Sequence, residues 1–325
     1  MHLPELTRSS AEVERMVAAA SAGFAPTPRI IERLTGIRSR HVLPDDWQAS
    51  DLAAAAAAKL MAATGTSIDT VDLLLFGSAS QDMVEPATAH MVAAKLGASC
   101  PVMDVKNACN SLLNALQVAD ALIANGHYER VLVASGETPS RAIRWRVDSP
   151  AQFVAAFPGY TMSDGGAALL LERADGPAGI VHLAFTADSS AWDVGTLPGG
   201  GSAHPRDPEA GYFQVDGARL AAAFDRLGDG LLRSTMAGAG VAWDELAVVC
   251  VHQVAMGYLR RLVAATGIPP ERLVVTLPEH GNLASVTLAT QLATALEQGR
   301  CGPGDLVGLV GLAGGVSLGI ALVRL

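Results

Sequence analysis

Positive charge is scarce in this chain. Lys and Arg number 23 against 32 Asp and Glu, a formal net charge of −9, and no basic run is long enough to follow a phosphate backbone. Nucleic acid is therefore not an expected partner. Cysteine is scarce as well: four residues, at 100, 109, 250 and 301, with no CxxC pair. That spacing argues against a zinc ribbon or a disulfide scaffold, and with no signal-peptide pattern at the start it points to a reducing cytoplasm. Aromatic residues make up only 5%, so Ala, Val, Leu and Gly must pack the core with backbones in close approach. What is plentiful is apolar: half of the 325 residues are hydrophobic and 17% are charged, enough for two ordinary domains or one duplicated one without metal or disulfide support. Leu306–Val323 has no charge and is long enough for a membrane span. Its glycines at 308, 311, 314, 315 and 319 favour two buried strands joined by a glycine turn instead, so no membrane span is expected.

Apolar runs alternate with amphipathic segments along the chain, which predicts an α/β layered fold. Strands are expected at Val71–Ser80, Val102–Val105 and Arg130–Ser135, with a strand pair at Gly165–Leu171 and Gly179–Thr186. Helices are expected at Ser10–Ala20, Ala87–Leu96 and Cys109–Asn125. The second half repeats the plan. It has helices at Gly217–Met236, Val254–Thr266 and Leu283–Gln298, a strand at Leu246–Val251 and the closing pair in Leu306–Val323. This repetition predicts two similar halves, 1–174 and 175–325, meeting in "ADGPA" at Ala174–Ala178. The Gly/Pro-rich stretch Gly195–Gly211 reads either as a loop over a site or as a surface insertion.

Cys109, in "DVKNACNSLLNAL", stands where a short strand gives way to a helix. A helix start favours a thiolate and offers N–H groups to a developing oxyanion, so Cys109 is a candidate nucleophile. A small buried core residue is the other reading, and it is the one kept for Cys100, Cys250 and Cys301. His252 ends the buried strand "LAVVCV", at the carboxyl edge of a sheet where α/β proteins bind ligands. Asn282, in "PEHGNLASV", opens a helix after a loop, either as an N-cap or as an amide donor into a cleft. His280 competes with His252 for a catalytic role.

Taken together, "NAC" at 107–109, "HQ" at 252–253, "GN" at 281–282 and the closing "AGGVSLG" resemble the thiolase-fold condensing enzymes of the ketoacyl synthase III type, in that family's order and spacing from about Thr35 onward. The stretches "QASD" (48–51), "EPAT" (85–88), "GET" (136–138), "HQV" (252–254) and "EHGN" (279–282) are similar to OleA-type enzymes, which join two acyl thioesters head to head without decarboxylation. Stand-alone ketosynthases that link two polyketide chains into an α-pyrone look much alike. The resemblance implies a five-layered αβαβα fold working as a homodimer. It also implies acyl-CoA or acyl carrier protein as partner and no cofactor beyond the CoA or phosphopantetheine thioester. Cys109 would carry the acyl group, with its own N–H and that of Gly315 as oxyanion donors, while His252 and Asn282 hold the carbonyl oxygen of the second substrate.

Glu85 separates two reactions. A decarboxylating synthase makes its carbanion by losing CO2 and needs no strong base, and its relatives carry an apolar gate at the place resembling Glu85. A non-decarboxylating enzyme must remove an α-proton, and in the OleA-like group a glutamate from the other subunit does so. The residue-level alternative is an acid leading a helix before Pro86. Two rival functions accompany this expectation: a malonyl-using 3-oxoacyl-carrier-protein synthase III, and an inactive partner subunit of a heterodimeric synthase. The chain departs from the family in two places. The first strand of the fold is either shortened within Met1–Leu6 or missing. Gly257 and Arg260–Arg261 stand where some relatives have Asn and Arg for carrier recognition.

Overall fold

The computed structural model describes residues 1–174 and 176–325, so Asp175, within the expected boundary between halves, lies outside the described residues. Two four-stranded sheets form the frame. The first has the spatial order Val102–Val105, Leu73–Gly77, Arg130–Glu137, Gly165–Glu172; the second has the order Val248–Val251, Leu306–Ala313, Ser317–Arg324, Gly179–Ala187. In the first sheet Leu73–Gly77 pairs in parallel with both of its neighbours and Gly165–Glu172 joins antiparallel; in the second only Val248–Val251 and Leu306–Ala313 are parallel, and the other two pairings are antiparallel.

The inner strands of each sheet are buried on both faces, which is why they read as continuous apolar runs rather than alternating ones, while the edge strands Val102–Val105 and Gly179–Ala187 are partly exposed. Successive residues part company by the two-residue strand period. Leu74 and Phe76 face the helices Ala49–Thr64 and Thr88–Leu96, whereas Leu73 and Leu75 face Ser111–Ala124. Val248 and Cys250 turn to the same central layer as Leu288 and Leu292 of the helix Thr287–Glu297. Val249 and Val251 face Leu232, Met236 and Leu259 of the helices Gly230–Ala239 and Met256–Thr266. The layers are therefore helix, sheet, paired central helices, sheet, helix: the expected five-layered α/β fold of two similar halves.

Several boundaries differ from the sequence expectation, each with a local cause. Gly165–Glu172 and Gly179–Ala187 do not pair with each other; the first joins Arg130–Glu137 and the second joins Ser317–Arg324 in the other sheet, because the chain crosses between sheets in the segment connecting them. The helix expected over Gly217–Met236 breaks after Leu227, where Gly228 takes φ 65°, and resumes at Gly230. The helix expected from Cys109 begins at Ser111. The first strand of the fold is reduced to one antiparallel bridge in which His2 and Gly166 exchange N–H···O bonds of 2.8 and 2.7 Å. The helix Ser10–Ala20 has the expected bounds, closed by a capping box between Ser9 and Glu12. Leu306–Ala313 and Ser317–Arg324 are the hairpin read from the glycine-rich stretch. Among the described residues no helix is long and apolar enough to cross a membrane.

Candidate active site

Cys109 and His252 each follow the carboxyl end of a parallel strand. Cys109 follows Val102–Val105 by four residues, in a tight turn where Ala108 takes φ 45°. An alanine in the left-handed region is strained, and here the turn is held from both sides. Ser111 Oγ accepts the Asn107 N–H (2.8 Å) and donates to the Ala108 carbonyl (2.6 Å). Asn110 Nδ2 donates to Ser317 Oγ (2.9 Å) on the other sheet, which fastens the Cys109 turn to the closing hairpin. Gly315, with φ 89°, is in that hairpin's turn, two residues ahead of Ser317.

Because the helix begins at Ser111, Cys109 stands ahead of its first turn, and the expected thiolate is not favoured. Burial, with the Glu137 carboxylate as the second cause, pushes the thiol up to about 12; the residue's own backbone N–H opposes this weakly. Cys109 is a thiol at neutral pH.

His252 leaves the strand Val248–Val251, and its N–H donates to the Val310 carbonyl (2.9 Å) of the neighbouring strand. It is buried, its Nδ1 has no partner among the described residues, and desolvation pulls it down to about 4. It is therefore a neutral imidazole with an unengaged ring nitrogen. Asn282 is fixed by its backbone, donating to the Thr161 carbonyl and accepting the Ser163 N–H, each at 2.9 Å. Its Oδ1 accepts the Ala284 N–H (3.1 Å), which directs Nδ2 elsewhere as a donor. Ala284 takes φ 47°, so strained alanines flank both Cys109 and Asn282. Asn282 is not the N-cap of the long helix, whose regular turns begin only at Thr287. His280 has one of its two ring nitrogens engaged within the chain. His41 Nδ1 donates to the Pro4 carbonyl (2.7 Å), so its Nε2 accepts from His280 Nδ1 (2.9 Å).

Glu85 lies on a loop pinned at both ends. Asp82 accepts the Ser50 N–H (3.0 Å) and hydroxyl, and Asp104 accepts the Thr88 and Ala89 N–H groups (2.9 and 2.8 Å) at the start of the next helix. Between the pins Met83, Val84 and Glu85 are exposed, two apolar residues and a carboxylate. The Gly195–Gly211 stretch lies beside both features. A Cβ on Gly314 would touch the Gly195 carbonyl, and one on Gly200 would touch Val84. It is anchored by Arg144, which pairs with Glu209 (2.8 Å) and covers the Tyr212 ring (4.1 Å).

Two buried polar residues lie within stretches quoted from the sequence but are given no role there. Gln253 donates to the Val274 carbonyl (2.8 Å) and accepts the Thr276 and Leu277 N–H groups (3.2 and 3.1 Å), tying the His252 segment to the one leading to Asn282. Glu137 ends the strand Arg130–Glu137 and is 1% exposed. A carboxylate closing a buried strand is the signal that would have found it.

Residues 103–189 match the family profile of 3-oxoacyl-[acyl-carrier-protein] synthase III, and residues 236–325 match that of its C-terminal part. A β-ketoacyl-[acyl-carrier-protein] synthase III of Xanthomonas axonopodis pv. citri is 32% identical over 296 residues, 89% of this chain and 87% of that protein. One of Erythrobacter litoralis is 33% identical over 300 residues, 91% of this chain and 89% of that protein. Among solved structures, the synthase III of Aquifex aeolicus VF5 superposes with a TM-score of 0.85 at 24% identity, covering 100% of this chain and 97% of that one. A variant of Xanthomonas campestris OleA, with bound lauric acid and lauroyl-CoA, gives 0.86 at 24% identity, covering 100% and 96%. The chain belongs to the ketoacyl synthase III family of thiolase-fold condensing enzymes. It is an acyltransferase of that type.

Proposed function

We propose that this enzyme joins two acyl thioesters by a Claisen condensation without decarboxylation, working as a homodimer. The observation that carries this reading is the Met83–Val84–Glu85 tip, an exposed carboxylate beside two exposed apolar residues on a loop pinned at both ends. In the first stage the Cys109 sulfur attacks the thioester carbonyl of an acyl-CoA or acyl carrier protein. The carrier thiol leaves with the Cys109 proton, and the Cys109 and Gly315 N–H groups hold the oxyanion. In the second stage a second acyl thioester places its carbonyl oxygen against His252 and Asn282. Glu85 of the partner subunit takes the α-proton, and the carbanion forms a carbon–carbon bond to the Cys109 acyl group. The Cys109 sulfur leaves and regains a proton, giving a β-ketoacyl thioester, which in the polyketide case can close to an α-pyrone. His252, neutral well below pH 7, suits the role of an N–H donor to an enolate oxygen.

A second reading has its own support. The curated relatives at 31–33% identity are named β-ketoacyl-[acyl-carrier-protein] synthase III, which favours a decarboxylating enzyme taking malonyl carrier protein. The two separate on Glu85→Gln. Under the first reading the variant still forms the Cys109 acyl-enzyme, seen by intact mass, while condensation falls by about a hundred to ten thousandfold, as loss of a general base does. Unchanged condensation in the variant, with labelled CO2 released only when malonyl carrier protein is supplied, assigns the decarboxylating reaction instead.

A further inference from the structure

The buried carboxylate of Glu137 accepts four hydrogen bonds and, among the described residues, forms no ion pair. Oε1 accepts the Ala79 N–H (2.8 Å) and the Ser285 hydroxyl; Oε2 accepts the Ser80 N–H (3.2 Å) and the Ser80 hydroxyl (2.8 Å). Ala79 and Ser80 are the root of the loop whose tip is Glu85, immediately before its Asp82 pin. Ser285 comes one residue after the strained Ala284 that orients the Asn282 amide, and its hydroxyl also meets that of Ser135 (3.0 Å). Residue 137 thus joins a segment of the first half that leads to the proposed base to a segment of the second half that leaves the proposed oxyanion donor.

We infer that Glu137 is a positioning residue for condensation: a single buried carboxylate that roots both the Glu85 loop and the Asn282 turn. The inference rests on the roles proposed above for Cys109, Glu85 and Asn282. Only a carboxylate serves here. Four donors converge on it, and a glutamine at this place would turn its own NH2 toward one pair of them. A hydroxyl can rotate to accept that amide, but the N–H of Ala79 or Ser80 cannot, so one root of the loop is displaced. A shift of this kind changes the geometry between two substrates and leaves the simpler attack of Cys109 on a first thioester largely alone. The same charge lies at the carboxyl edge beside the nucleophile, where it contributes, after burial, to holding Cys109 as a thiol.

The test uses the full-length enzyme with Glu137→Gln and Ser285→Ala, followed by intact mass for acylation, product formation for condensation, and the pH profile of Cys109 alkylation by iodoacetamide. In Glu137→Gln, acylation is expected within a few fold of wild type, condensation slower by on the order of ten to a hundredfold, and the alkylation profile moved to lower pH. Ser285→Ala keeps the charge and releases only the Asn282 side, so condensation falls while the alkylation profile stays in place. If Glu137→Gln does not fold, Ser285→Ala alone decides, since it removes one hydroxyl. Undiminished condensation in the folded variants overturns the inference, as does acylation that falls in step with condensation. A Cys109→Ala enzyme that still acylates would instead overturn the underlying assignment, whatever the Glu137 variants do.

Discussion

At neutral pH the Cys109 thiol, pushed up to about 12, and the His252 imidazole, pulled down to about 4, are both uncharged, because burial removes water from whichever form carries the charge. For Cys109 this means slow alkylation by iodoacetamide at pH 7, with a rate that climbs through the alkaline range; peptide mapping separates it from the half-exposed Cys100. Cys109→Ala should abolish the acyl-enzyme and condensation while the far-UV signal and unfolding midpoint stay close to wild type. A surviving acyl-enzyme would place the nucleophile elsewhere. For His252 the consequence is on stability. Its folded pKa lies below its unfolded value of 6.5, so between pH 6.5 and about 4 the unfolded chain binds a proton that the folded one does not. Stability from this group is complete above pH 6.5 and falls with pH, by about 3 kcal/mol at pH 4. Urea midpoints at pH 7 and 5 should therefore differ less in His252→Gln than in wild type, with His2, His41 and His280, also lowered by burial, supplying the remaining slope.

Among the elements, the packing of the helix Ala49–Thr64 on the first sheet is the closest contact between backbones. A Cβ on Gly136 would collide with the Ala49 carbonyl, and one on Gly166 with the Leu52 carbonyl. A chain poor in aromatics fills its core this way, with bare backbone where another protein would place a ring. Gly136→Ala should cost about 1–3 kcal/mol or more, since the obstacle is backbone and has no rotamer to move into. Gly257→Ala provides the contrast: it lies within the helix Met256–Thr266 with open space around the new methyl, so it should stabilise by about 0.5–1 kcal/mol. Equilibrium urea unfolding reads both, and equal effects would mean that the close approach at Gly136 relaxes on substitution.

For the whole molecule, the role proposed for the exposed Glu85 tip would tie the reaction to assembly. If Glu85 serves the partner's site, mixing inactive Cys109→Ala with inactive Glu85→Gln restores activity, because each hybrid dimer holds one site with both wild-type residues. Random exchange makes about half of the dimers hybrids, so about a quarter of all sites should recover. Verified exchange without recovery would assign Glu85 to its own subunit.

The sequence by itself determined the layered α/β class, the central strands and helices, and the positions of Cys109, His252 and Asn282 at element ends. Those signals are local: apolar runs of strand length, helical periodicity, and polar residues where such runs stop. It also carried enough motif to place the family. The helix start at Ser111, the break at Gly228 and the separation of Gly165–Glu172 from Gly179–Ala187 were decided by tertiary structure. Each turns on which partner a strand or turn finds across the molecule, and adjacent positions in the chain do not encode that. The charge state of Cys109 belongs to the same class, since a helix start favours a thiolate only where burial and a neighbouring carboxylate do not outweigh it. So does the anchoring role of Glu137. Ala79, Ser80 and Ser285 are ordinary small residues until folding brings residues 57 to 148 positions apart onto one carboxylate.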